Sequence, residues 1–308
     1  MQDLQQYGAW RARVAASLTG YGNALRDAGL IDAAGEQLLA HALGRLRDDR
    51  LSVAFVAEFS RGKTELINAL FFADYGQRIL PSSAGRTTMC PTELLWDASL
   101  PPCLRLLPID TRAGHLSTGD YRDDPAAWTV FPLDLDSPAA MHDTLRQVSQ
   151  TRRVSTVEAQ RYGLYDADDP DLAASLDPDG TIEIPRWRHA IINLPHPLLK
   201  QGLVILDTPG LNAIGTEPEL TLNLIPNAHA VLFVLAAETG VTKSDIEVWR
   251  THIGAGPGRL AVLNKIDAMW DELKSPEAVD ADIARQQHDV ARQLGLSASQ
   301  VYPVSAHK

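Results

Sequence analysis

Cysteine is nearly missing. Cys90 and Cys103 are the only two in 308 residues. That excludes a disulfide framework and points to a reducing compartment. No apolar run reaches the length needed to cross a bilayer. The opening MQDLQQYGAW lacks both the basic and the apolar stretch of a secretion signal, so a cytoplasmic location is expected. Positive charge is in deficit too. Lys and Arg total 28 against 39 Asp and Glu, a net charge of −11, with an isoelectric point near 5.2. This balance argues against nucleic acid as the main partner and against broad adhesion to anionic lipid. What is present is enough for a globular chain: 45% hydrophobic and 22% charged residues. The length fits one large domain, or a domain with an attachment.

The stretch that organises the chain is Leu51 to Leu70, LSVAFVAEFSRGKTELINAL. Leu51 to Val56 reads as a buried strand, Ala57 to Gly62 as a turn. Lys63 and Thr64 open an amphipathic helix carrying Leu66, Ile67 and Leu70. Strand, glycine turn, Lys-Thr and helix form the context of a phosphate-binding loop. Backbone N–H groups of the turn and first helical turn, from Ser60 through Glu65, converge on phosphate. Lys63 places a positive charge between phosphates and Thr64 offers a hydroxyl to Mg²⁺. Ala57 stands where such loops have their first glycine.

Four later segments complete a guanine-nucleotide set. A polar loop, YGQRILPSSAGRTTMCPT at 75–92, holds Thr87 and Thr88, and a loop threonine can bind Mg²⁺ and sense the γ-phosphate. The strand Leu203 to Leu206 ends in Asp207-Thr208-Pro209-Gly210. Asp207 can hold Mg²⁺ through water, and Gly210 can present its N–H to the γ-phosphate. The strand Arg259 to Leu263 ends in Asn264-Lys265-Ile266-Asp267. The Asp267 carboxylate can accept from guanine N1–H and its 2-amine, a donor pair that adenine lacks, while Lys265 lies along the base and steadies the phosphate loop. Ser305-Ala306, after a last strand at Val301 to Val304, can place N–H groups at guanine O6.

The other elements follow from periodicity. Residues 4–48 read as two helices broken at Ala28-Gly29-Leu30. The first carries a stripe of Leu4, Tyr7, Trp10, Val14, Leu18, Tyr21 and Leu25. The second is capped by Asp32, with Leu38, Leu39, Ala42, Leu43 and Leu46 facing inward. Further strands are expected at Thr92 to Leu95, Cys103 to Leu107, Trp187 to Leu194 and Ala230 to Ala236. Helices are expected from Asp136 or Ser137 to about Arg153, over Leu220 to Leu224, after Thr242 or Ser244 with Ile246, Trp249 and Ile253 buried, and over 276–295. Residues 108–185 read as an insertion of acidic, solvated turns. A further helix normally follows the last strand, so the segment is expected to continue beyond Lys308.

On these residues the chain resembles a bacterial dynamin-family GTPase domain. The resemblance rests on AEFSRGKT at 57–64, Thr88, DTPG at 207–210, NKID at 264–267, LPSSAGRTTMCPT at 80–92 and LPHPLLKQGLVILDTPGLN at 194–212. It implies a three-layer α/β P-loop GTPase domain over 51–308, with a mainly parallel sheet, and a helical stalk or neck over 1–50. It implies GTP and GDP as ligands with Mg²⁺ on Thr64, Thr88 and Asp207. Catalytic roles fall to Ser60, Lys63 and Thr88, and nucleotide binding to Ser60, Arg61, Gly62, Lys63, Thr64, Glu65, Asp207, Gly210, Asn264, Lys265, Asp267, Ser305 and Ala306. Members dimerise through the nucleotide face and remodel or tether membranes, here through regions outside this segment. The family's phosphate-loop glutamine is replaced by Phe59. Arg61 is read as solvent-facing or intermolecular, with an internal arginine finger as the alternative. Two rivals remain: a regulatory GTPase of RNA or chromosome handling, and a non-enzymatic guanine-nucleotide-binding module.

Overall fold

The computed structural model describes residues 2–47, 50–58, 60–81, 90–114, 116–122, 124–168, 176–208, 225, 228–254, 258–271 and 273–307. They fall into two compact units, Met1–Leu51 with Gln201–Leu203, and Ser52–Lys200 with Val204–Lys308.

The first unit holds α1 (Gln2–Asp27) and α2 (Ala33–Arg47). The chain reverses at Gly29, whose φ is +66°, and Asp32 accepts the Gly35 N–H at 2.7 Å, capping α2 as its sequence implies. Arg26 grips Glu36 through two bonds of 2.6 and 2.7 Å. The pair meets closely where buried Gly22 faces Leu39, which a Cβ at residue 22 would strike. The expected inward set needs correction: Leu38 is 72% exposed, and only Leu39 of that set is fully buried. Two helices leave one seam between them, too narrow to cover adjacent leucines. Tyr7, Trp10 and Tyr21 likewise stand exposed.

The second unit is built on a nine-stranded sheet of order β11-β10-β9-β1-β8-β2-β7-β3-β4. The strands are β1 (Leu51–Ala57), β2 (Thr92–Leu95), β3 (Cys103–Pro108), β4 (Thr129–Pro132), β7 (Trp187–Asn193), β8 (Leu203–Asp207), β9 (Ala230–Ala236), β10 (Arg259–Asn264) and β11 (Val301–Pro303). β1, β9, β10 and β11 run parallel in register, as do β2 and β7. Antiparallel pairs join β2 to β8 and β3 to β7 and β4. Ala54 to Ala57 are all buried, so successive side chains on both faces are covered, as continuous apolar strands require. Helices α6 (Lys243–Val248) and α7 (Pro276–Leu294) supply Trp249, just past the end of α6, and Val290, Ala291 and Leu294 to the core that also holds Ala54, Val56, Phe233 and Leu263. Ser275 caps α7 and Gly295, at φ +69°, ends it.

Residues 108–185 are more than turns. β4 extends the sheet edge. α4 (Pro138–Leu145) starts at Ser137 but stops at Leu145, short of the expected Arg153. A 3-10 turn follows, and β5 (Thr151–Ser155) then pairs antiparallel with β6 (Thr181–Pro185). Pairing with a strand thirty residues on overrides the local helical pattern. The hairpin and α5 (Thr156–Arg161) enclose a small core of Ile109, Val154, Ala159, Tyr162, Leu164, Ile182 and Ile184. Asp179 does sit in a turn, accepting from the Thr181 N–H and hydroxyl.

One carboxylate lies under this edge. Glu93 on β2 accepts from His189 Nε2 at 3.0 Å and from Arg122. Burial would raise its carboxyl, but His189 and Arg122 outweigh that and hold it at about 2, against an ordinary 4.5. A carboxyl lowered in the folded state stabilises above its unfolded value, and the contribution fades as pH falls from about 4.5 towards 2. Glu93→Gln should therefore cost on the order of 3 kcal/mol at pH 7. Urea unfolding should show the gap to wild type closing between pH 4.5 and 2. A pH-independent gap would contradict this.

Candidate nucleotide site

The parallel strands β1, β9 and β10 bring their carboxyl ends to one edge, where open α/β sheets bind ligands. From β1 the chain turns sharply. Ser60 has φ +63° and Gly62 φ +83°. Gly62 caps α3 (Lys63–Phe71) without any side-chain bond to its first turn, so the opening amides stay directed outward, as an anion requires. Glycine is obligatory at 62 for two reasons: the left-handed backbone, and Asn264 Nδ2, into which a Cβ would run.

Asn264 ties three loops together. Its Nδ2 donates to the carbonyls of Arg61 at 3.2 Å and Gly62 at 3.3 Å, and its Oδ1 accepts the Ala306 N–H at 3.2 Å. Ser305 Oγ donates to Asp267 Oδ1 at 2.7 Å, fixing the carboxylate expected at guanine. The Ala306 N–H, expected at guanine O6, is bonded here to Asn264. Lys265, at φ +62°, passes its stem beside the Gly62 position and sets its ammonium 2.5 Å from Glu238.

On the phosphate side, Lys63 Nζ lies 2.6 Å from Asp207 Oδ1. Asp207 is nearly buried, and this oxygen receives no well-directed hydrogen bond; the close pairing of charges is what holds it. Thr208 Oγ1 donates to the Phe55 carbonyl at 2.8 Å, anchoring the end of β8 to β1. A hydroxyl at Thr64 with a buried carboxylate at Asp207 is a hard-oxygen set suited to Mg²⁺. Glu65 pairs through its side chain with Arg78 at 2.9 Å, which leaves its N–H as the group it could offer to phosphate. Ser60 is exposed at the lip of the loop. Phe59, Thr88, Gly210, the loop centres around Gly85 and at 210–219, and the expected helix at Leu220 to Leu224 lie outside the described residues.

Arg61 is not solvent-facing. Its guanidinium is buried and reaches Glu58 at 2.7 Å, Asp245 at 3.1 Å and the Thr239 hydroxyl. Asp245 also completes the cap of α6, accepting from Thr242 N–H at 2.9 Å and Oγ1 at 2.8 Å. Burial pushes the Asp245 carboxyl up, against the pull of these bonds and of Arg61. Glu58, Glu238, Thr239 and Asp245 were not among the residues singled out by sequence. The signal for Asp245 was present: Thr-x-x-Asp at 242–245 is a capping box.

A phosphate loop on β1, a metal-type aspartate ending β8 and a guanine-type aspartate after β10 define a P-loop GTPase fold. The profile of the Dynamin family matches residues 53–266, and the chain belongs to that family, whose members are GTPases. The Bacterial dynamin-like protein of Nostoc punctiforme is 31% identical over 113 residues, 36% of this chain and 16% of that protein. A probable transmembrane GTPase, FZO-like and chloroplastic, of Arabidopsis thaliana is 32% identical over 114 residues, 37% of this chain and 12% of that protein. The chain spans no more than 16% of the length of these two relatives. Among solved structures, the LeoA bacterial dynamin GTPase from ETEC aligns over 99% of this chain and 38% of its own, at TM-score 0.47 and 14% identity. Among the described residues no helix is long and apolar enough to cross a membrane.

Proposed function

We propose that this domain binds GTP, hydrolyses it to GDP and phosphate, and uses the cycle to move its switch loops in dynamin-like membrane remodelling or tethering. The observation that carries the reading is Asn264, which joins the phosphate loop to the guanine-side loops of Asp267 and Ser305. One nucleotide would span them. The amides opening α3 would take the phosphates, and Lys63 would leave Asp207 for the β- and γ-oxygens, neutralising charge that develops as water attacks the γ-phosphorus in line. Thr64, Asp207 and Thr88 would hold Mg²⁺, which when bound supplies further positive charge to the phosphates. Thr88 would orient the attacking water and Ser60 would steady the phosphates. Gly210 would sense the γ-phosphate, and 85–91 and 210–219 would act as switches. Residues 1–50 would serve as a neck receiving that movement, with 108–185 an insertion in the GTPase domain. Self-association through the nucleotide face and peripheral attachment of a cytoplasmic protein to membrane rest on the family, one of whose relatives is named a transmembrane GTPase.

The test is phosphate release from GTP against protein concentration, with and without liposomes. Turnover per molecule should rise with concentration. Tight binding with no release at any concentration would favour a non-enzymatic binding module.

A further inference from the structure

Arg61 sits in the phosphate loop between two residues of positive φ, Ser60 and Gly62. For Ser60 that conformation costs roughly 1–2 kcal/mol, so the surroundings must impose it. They grip Arg61 from both ends. Its carbonyl accepts from Asn264 at the end of β10. Its guanidinium is bonded to Glu58 within the loop and to Thr239 and Asp245 beyond β9. The side chains are 9% exposed for Arg61, 14% for Glu58 and 0% for Asp245.

We propose that Arg61 is a positioning residue for nucleotide phosphate: held by Glu58, Asp245 and Thr239, it fixes the curve of the loop before nucleotide arrives. This rests on the GTPase reading and adds the residue that shapes its phosphate cradle. Arg61 does not act as an arginine finger. Withdrawing the guanidinium towards phosphate would take the charge partner from buried Asp245 and from the largely covered Glu58, at a cost of about 3–5 kcal/mol. Its contribution is pre-organisation. With the left-handed turns at Ser60 and Gly62 already held, the loop loses less conformational freedom on binding. Because Asp245 also caps α6, the curve of the loop is set from the neighbouring strand end.

The experiment compares wild type with Arg61→Met, Arg61→Lys, Asp245→Asn and the Arg61→Met/Asp245→Asn double variant. It reads dissociation constants for GDP and GTP, turnover at saturating GTP, and melting temperature. Arg61→Met should weaken GDP and GTP alike by roughly 10- to 100-fold, the loss expected when a loop must be ordered on binding. Turnover at saturation should stay within about threefold, since nothing bound only in the transition state is removed. Arg61→Lys should recover part of the affinity. The double variant should lose less than the sum of the two single losses, because the two residues share a contact. Asp245→Asn leaves Glu58 and Thr239 on the guanidinium and keeps the test readable if Arg61→Met does not fold. Turnover falling about 100-fold with affinity unmoved would make Arg61 a finger and overturn the proposal. A lowered melting temperature with affinity and turnover unmoved would leave it a packing residue and overturn it too. Wild type failing to bind guanine nucleotide would sink the GTPase reading and this inference with it. Wild type that binds, beside variants that bind equally well, sinks the inference alone.

Discussion

Lys63→Ala is expected to abolish tight GTP binding. In the proposed placement Lys63, which opens α3, stands among the phosphates, and it is already largely desolvated, paired with Asp207 at 2.6 Å. Its ammonium exchanges a carboxylate for phosphate oxygens, so little new dehydration opposes binding. Truncating one member of such a buried charged contact costs about 2–5 kcal/mol, roughly 30- to several-thousand-fold in affinity. The loss should fall on GTP and GDP together. Calorimetry is the direct measurement, with circular dichroism to verify the fold, since Asp207 then lacks its partner. Affinity near that of wild type would refute the placement of the phosphates.

Asp267→Ala should remove the preference for GTP over ATP. The carboxylate is held by Ser305 at 2.7 Å, so it is oriented before the base enters. Guanine offers it two donors at that edge, while adenine offers no such pair. Sites of that kind discriminate strongly because the penalty falls on a buried polar group. The ratio of GTP to ATP affinity is expected to fall by roughly 10²-fold or more, read by competition of ATP against labelled GDP. Asp267→Asn keeps the shape but turns one acceptor into a donor, which suits the 2-carbonyl of xanthine, and xanthosine triphosphate should gain where GTP loses. Unchanged competition by ATP would contradict the guanine pocket.

Where the chain's pattern is local, it could be read directly. Ala230–Ala236 is a strand at both of its expected ends, because a run of apolar β-formers with no turn residue has few alternatives. Pro276–Leu294 ends one residue before its expected boundary, at Gly295, whose left-handed backbone stops it. Ser137 announces α4, but nothing nearby announces its end, which depends on β5 pairing with β6. The motifs placed Lys63, Asp207, Asn264 and Asp267 at strand ends because each follows an apolar strand in order. The surroundings of Arg61 were not legible: its partner Asp245 lies 184 positions away, and a lone arginine in a polar turn carries no sign of which way it points. Leu38 shows the same limit, since heptad-like spacing cannot say how wide a seam its partner covers.

The contact of Gly62 with Asn264 leaves no room for a methyl group between them. Position 62 belongs to the phosphate loop and position 264 to the base-recognition loop, so two motifs that look separate in the chain are sterically one. Mutational drift at either is blocked by the other. A library randomising 62 alone should return only glycine, whereas joint randomisation of 62 and 264 is the route by which any substitute could be found.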